Sequence, residues 1–253
     1  MRLNNNSSQT IRSYKSDVTA LLDWVGGREF TDTDTAVRTY LAEIKDGIAP
    51  ATLNRKVASI RKWGEFHDVI LLKGYRCPKP IQPTPRALDD MAMVEKMIVR
   101  AHEADRSDVA GVIALQGFAG LRVGEALSLT PESFDLDEME ITVVGKGQKM
   151  RRIPLMSKVW FEVERFVATT PPGEKIFTRS HVGMRQWIKR MFAAVGYPSF
   201  SSHMLRATAA THLHLSGAPL RVVQEVLGHE DARTTQRYTR APMEEMRRAM
   251  EVL

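Results

Sequence analysis

Four prolines, Pro78, Pro80, Pro83 and Pro85, fall within eight positions of this 253-residue chain. Proline removes a backbone donor and holds its predecessor in extended conformations, so neither a helix nor a central strand runs through this stretch. Residues 77–86 read as a semi-rigid linker. The chain must then build its cores separately, one from residues 1–76 and one from residue 87 onward. A hydrophobic content of 43% is enough for both.

Ahead of the linker the apolar spacing is helical. Ile11, Tyr14, Val18, Leu21, Leu22 and Val25 recur at three- and four-residue steps and end at Gly26-Gly27. Val37, Tyr40, Leu41 and Ile44 form a second stripe closed by Gly47, and Leu53, Val57, Ile60 and Trp63 form a third. Arg55, Lys56, Ser59 and Lys62 lie off that third stripe, on a face that either is simply solvated or meets phosphates. Behind the linker, 91–101 and 109–118 read as helices. Ile141-Thr142-Val143-Val144, a Gly145-Lys146-Gly147-Gln148 turn and Met150 to Leu155 read as a hairpin. Helical patterns return over 182–194, 205–215 and 220–227, the last stopped by Gly228. The expected fold is mainly α with a small β-hairpin or sheet: a helical front domain and a mixed α/β second domain.

The net charge is +6, and 14 Lys and Arg face 9 Asp and Glu in residues 1–86 against 22 and 21 in the rest. A basic front suits a polyanion, since each neutralised phosphate releases counterions; a merely soluble basic protein has the same charge. One cysteine, Cys77, excludes an internal disulfide framework and gives no zinc-ligand spacing. No apolar run is long enough to span a bilayer and the start is too polar for a signal peptide, so a cytoplasmic location without a membrane partner is expected.

Five short segments carry the chemistry: Gly120-Leu121-Arg122-Val123-Gly124-Glu125, Gly145-Lys146-Gly147, His203-Met204-Leu205-Arg206, Leu227-Gly228-His229 and Tyr238. Together they supply two arginines, a lysine, two histidines and a tyrosine. Guanidinium groups stabilise charge on phosphoryl oxygens and stay protonated at working pH. Histidine titrates near neutrality, and a lysine can give a proton where its surroundings lower its pKa. A phenol with a pKa near about 10 becomes a nucleophile beside a base and positive charge. Each residue alone has an ordinary reading: a surface ion pair for an arginine, an exposed turn lysine, a structural tyrosine. His212 and His214 form a His-x-His pair, but no cysteine or carboxylate stands at a convincing spacing for a metal.

In order and spacing these segments resemble the tyrosine recombinase (phage integrase) family. The resemblance covers nearly the whole chain and is most specific over 110–240. It implies a helical core-type DNA-binding domain at 1–76, a catalytic domain at 87–240 and a tail helix at 241–253. It also implies a catalytic set of Arg122, Lys146, His203, Arg206, His229 and Tyr238, with Glu125 orienting Arg122. Arg55, Lys56, Ser59, Lys62, Lys149 and Arg151 are then expected on DNA. The implied reaction is attack by Tyr238 to give a 3′-phosphotyrosyl intermediate and a free 5′-hydroxyl, with rejoining through a Holliday junction and with no metal, nucleotide or other cofactor. The implied partners are duplex DNA carrying core-type sites, three further copies in a tetramer on that DNA, and an accessory directionality factor. Integration or excision of a phage or mobile element is the expected task. The first core-type helix begins near residue 9, so a compact form without an N-terminal arm-binding domain is expected. Two departures stand out: Ala207 follows Arg206 where the family often has histidine, and Glu230-Asp231 follow His229 where small polar residues are more usual. Met243, Met246, Met250 and Leu253 line one side of the tail, which is expected to dock on a neighbouring copy, with docking on its own domain as the alternative. A type IB topoisomerase and a non-catalytic DNA-binding regulator are the rival readings; a regulator would be marked by loss of a catalytic group, and none is missing.

Overall fold

A computed structural model describes residues 8–78, 86–145 and 148–228. The chain divides into two compact units, Met1–Pro83 and Thr84–Leu253.

The first unit is built on three helices, α1 (Ser8–Val25), α2 (Thr33–Ile44) and α3 (Pro50–Phe66). Asp32 caps α2 by accepting the Thr35 N–H at 2.9 Å, and Pro50 sits in the first turn of α3, where its missing N–H is not needed. Leu21, Val37, Tyr40, Leu41, Leu53, Val57 and Ile60 meet in one core, closed below by Leu71 and Leu72. The stripe on α1 turns out narrower than its spacing suggests. Leu22 is half exposed, while Asp17 is buried on the helix side that faces α3.

The second unit is organised around α5 (Ser107–Gly117), whose residues from Val109 to Gly117 are all buried. A helix apolar on every side has to be enclosed. The helices α4 (Ala92–Glu103), α7 (Ser157–Thr169), α8 (His181–Ala194) and α9 (Ser202–Leu215) pack on it. Glycine lets two neighbours approach closely: a Cβ on Gly117 would lie 2.5 Å from Val94 of α4, and one on Gly111 would lie 3.2 Å from the Glu162 carbonyl of α7. The one-turn helix α6 (Val123–Ala126) and α10 (Leu220–Leu227) complete the helical set among the described residues.

Between α6 and α7 the strands β1 (Phe134–Asp135), β2 (Glu140–Val144) and β3 (Met150–Pro154) form an antiparallel sheet in that order. The hairpin expected from sequence is β2–β3; the two-residue β1 was not foreseen. Ile141 pairs with Ile153 and Val143 with Arg151. Successive side chains on a strand alternate faces, so Arg151 shares the inward face with Ile153.

Candidate functional site

The site begins where α5 ends. Gly120 takes a left-handed φ of 68°, and the fully buried Leu121 anchors the turn through its N–H on the Leu115 carbonyl at 3.1 Å. The next residue, Arg122, is extended and caps α6. Glu125 reaches back one turn from α6. Its Oε2 accepts the Arg122 backbone N–H at 2.9 Å and its Oε1 accepts Arg122 Nη1 at 2.6 Å. A local capping arrangement therefore aims a guanidinium. The Arg122 side chain stays 41% exposed and lines an open cleft of about 520 Å³.

Two further arginines converge on the same carboxylate. Arg206 lies on α9 and is fully buried. Its Nη1 is 3.6 Å from Glu125 Oε2 and donates to the Gly120 carbonyl at 2.7 Å, while its Nη2 donates to the Leu227 carbonyl at the end of α10. From β3, Arg151 donates through Nη2 to Glu125 Oε2 at 2.9 Å and through Nε to the Val226 carbonyl at 2.9 Å. Burial pushes the Glu125 carboxyl up. The Arg151 hydrogen bond, the Arg122 N–H, the Arg151 charge and the Arg122 guanidinium together outweigh burial, and the carboxyl titrates below its ordinary value.

His203 stands in the first turn of α9, exposed on the same cleft, three residues before Arg206. Gln116 fixes that end of α9 by donating to the Ser202 carbonyl at 3.2 Å. Gly145 also lines the cleft. Its N–H donates to the Lys149 carbonyl at 2.8 Å. Lys146, His229, Tyr238 and the tail helix expected at 241–253 lie outside the described residues. The structure thus brings Arg122, Glu125, His203 and Arg206 to one place.

Sequence reading missed two cleft residues, His181 and Arg185. They sit one turn apart at the start of α8, which Ser180 caps by accepting the Gly183 N–H at 3.2 Å. No motif marks them; they lie along the edge of the stripe formed by the buried Met184, Ile188, Met191 and Phe192. His212 donates through Nε2 to the Leu88 carbonyl at 3.0 Å. Among the described residues no cluster of three or more His, Cys, Asp or Glu is placed to hold a metal, and no helix is long and apolar enough to cross a membrane.

The residues expected on DNA divide. Lys149 and Lys62 are exposed, with Lys62 Nζ 2.6 Å from Glu65. Arg55 is 41% exposed and pairs with Asp17. Ser59 is corrected: it is fully buried and its hydroxyl lies 3.1 Å from Asp17 Oδ2. Lys56 is mostly enclosed as well, with Nζ 3.4 Å from Asp17 Oδ1 and 3.3 Å from the Tyr40 hydroxyl. The buried carboxylate of α1 draws in this side of α3. Arg151 is turned inward by strand alternation onto Glu125, with its side chain 12% exposed.

Comparison with known proteins follows the same division of the chain. A family profile described as "Phage integrase family" matches residues 92–245, and one described as "Phage integrase, N-terminal SAM-like domain" matches residues 2–67. The tyrosine recombinase XerC of Rhodospirillum centenum is 32% identical over 92% of this chain and 77% of its own length. The tyrosine recombinase XerD of Pasteurella multocida is 28% identical over 95% of this chain and 90% of its own length. Among solved structures, the XerH site-specific recombinase in a post-cleavage complex with a palindromic difH substrate superposes with a TM-score of 0.75 at 19% identity, over 96% of this chain and 79% of that one. The Tn1549 transposon integrase with circular intermediate DNA gives 0.74 at 15% identity, over 98% and 95%. At these identities the structural likeness speaks to the fold.

Proposed function

Because this chain belongs to the phage integrase family of tyrosine recombinases, we propose that it cuts and rejoins duplex DNA at specific sites through a 3′-phosphotyrosyl intermediate on Tyr238. The observation that carries the reading is the cleft where Arg122, held by Glu125, stands with His203 above the buried Arg206.

In this reading the scissile phosphate enters the cleft, and the charge of Arg122 and Arg206 stabilises its non-bridging oxygens as negative charge builds on them. His203 takes the phenolic proton as the Tyr238 oxygen attacks phosphorus. The bond to the 5′-oxygen breaks, and Lys146 protonates that oxygen. His229 donates a hydrogen bond to the phosphoryl group. The phosphotyrosine conserves the energy of the broken bond, so a 5′-hydroxyl can reverse the step without a nucleotide. Two sites, four copies and a Holliday junction complete the exchange. The exposed Arg55, Lys62 and Lys149 are placed on backbone phosphates, and the tail on a neighbouring copy.

The task we favour is integration or excision of a phage or mobile element, with a directionality factor as accessory. The relatives named XerC and XerD support a second reading, exchange at a site unrelated to a mobile segment. Denaturant-quenched covalent capture on the whole replicon that carries this gene, its flanks included, wild type against Tyr238→Phe, tests both. A 3′-linked adduct made only by wild type supports the mechanism, and an adduct from the Phe variant refutes the nucleophile. Captured ends that bound a segment carrying the gene support integration; captured ends elsewhere in the replicon support the second reading.

A further inference from the structure

Arg151 is a cationic side chain beside this site to which the mechanism gives no task. It lies in a basic run, Lys149 to Arg152, of the kind that meets DNA at a surface. Yet its side chain is only 12% exposed, whereas that of Arg152 is 70% exposed. The pleat explains the contrast, since Arg151 points inward with Ile153 while Arg152 points outward toward Glu140.

The guanidinium joins three elements. From β3, Nη2 holds Glu125 Oε2 of α6 and Nε holds the Val226 carbonyl of α10, both at 2.9 Å. Glu125 Oε2 also accepts the Arg122 N–H and lies 3.6 Å from Arg206 Nη1. Arg206 takes the adjacent Leu227 carbonyl. The last carbonyls of a helix lack internal partners and sit at the negative end of its dipole. Two guanidiniums thus occupy successive carbonyls where α10 ends, and Gly228 there turns left-handed with φ 63°. The contact is close: a Cβ on Gly228 would lie 2.9 Å from Arg151 Nη1. A lysine would keep the charge but has no rigid fork to hold two acceptors from two elements at once.

We propose that Arg151 is a positioning residue for strand cleavage: it orients Arg122 through Glu125, fixes the end of α10 through the Val226 carbonyl, and makes no contact with DNA. The inference rests on the recombinase reading above. It assigns to one side chain the task of keeping β3, α6 and α10 in mutual register.

The test uses the full-length protein and the duplex recovered by covalent capture. Single-turnover adduct formation at saturating protein is measured for wild type, Arg151→Lys, Glu125→Gln and the double variant, with duplex binding followed across a salt series. Arg151→Lys is expected to form adduct about 10²-fold more slowly, the loss that a displacement of about 1 Å can cause. Its Kd and salt slope should match wild type. The double variant should be no slower than its slower parent, because both changes cut one link. Undiminished cleavage by Arg151→Lys overturns the proposal. So does a salt slope reduced by about one in an Arg151→Gln control, which removes the charge that lysine keeps and would thereby reveal a lost phosphate contact, and so do losses that multiply. Should Arg151→Lys fail to fold by circular dichroism, Glu125→Asp decides, since it shortens the same link from the other side and cleavage at the wild-type rate would overturn the proposal. No adduct from wild type overturns the recombinase reading and this inference with it, whereas a wild-type adduct isolates the result to Arg151.

Discussion

Replacing Glu125 by Gln keeps the shape of the side chain and removes the one carboxylate shared by Arg122, Arg151 and Arg206. Glu125 is 6% exposed, and Arg151 and Arg206 are 12% and 1% exposed at the side chain. Arg122 is 41% exposed, so solvent screens its share and it is left out of the count. Breaking a buried pair by removing one partner costs about 3–5 kcal/mol. The retained amide oxygen still accepts one hydrogen bond, and about 2–4 kcal/mol is the resulting expectation. In a unit of this size that is roughly 5–15 °C in Tm. Differential scanning calorimetry of the full chain should show the transition of the second unit lowered and that of the first unchanged. The pH dependence carries the sign. The folded-state pKa of Glu125 lies below its ordinary value of 4.5, so its stabilisation is present above the unfolded value and is lost as pH falls through the folded one. The gap between wild type and Glu125→Gln should therefore be full at pH 7 and narrow on acidification below the ordinary carboxylate range. Equal melting temperatures at pH 7, or a gap that does not narrow in acid, would refute the account of a charge clamp.

Gly117→Ala should lower stability by about 1–2 kcal/mol despite better helix propensity, because the new Cβ meets the buried, stiff Val94 at 2.5 Å; urea unfolding reads the loss, and Val94→Ala in the same chain should restore part of it. Gly120→Ala places a Cβ at positive φ and 2.8 Å from Leu227 while moving the carbonyl that holds Arg206, so the adduct rate should fall more steeply than the Tm predicts. Asp17→Ala strips Lys56 and Ser59 of their buried partner and should cost the first unit about 3 kcal/mol. An unchanged first transition in that variant would return Lys56 and Ser59 to the surface role read from sequence.

Periodicity made the helices legible because a stripe of apolar residues can be buried in only one way. The hairpin was legible because β-branched residues flank a glycine turn, and Gly228 because a helix end favours a left-handed glycine. Motif order groups Arg122, Glu125, His203 and Arg206, which do lie together in the structure. What failed to show were partners far apart in sequence. Nothing near Ser59 announces Asp17, 42 positions earlier, so a buried hydroxyl read as part of a basic surface. Leu22 fits the stripe of α1 by spacing, yet the helix turns Asp17 inward to meet α3 and leaves Leu22 outside. Arg151 was readable in principle, since Ile153 is inward and the period is two, but its charge outweighed its register in the reading.

That last case bears on how a phosphate site is made. Arginines gathered without a counter-charge repel one another and spread apart, and flexible charge must reorganise at the moment of reaction. In this chain one buried carboxylate gathers Arg122, Arg151 and Arg206, which leaves the cluster positive by two charges in a direction set before DNA arrives. A phosphodiester carries one negative charge, and further charge gathers on its oxygens as the tyrosine attacks. A cluster with more positive charge than the ground state needs is matched to the later species, and that difference is what lowers a barrier. On the recombinase reading, Glu125 does not weaken the site by subtracting charge. It allows three guanidiniums to stand close enough together for the excess to be aimed.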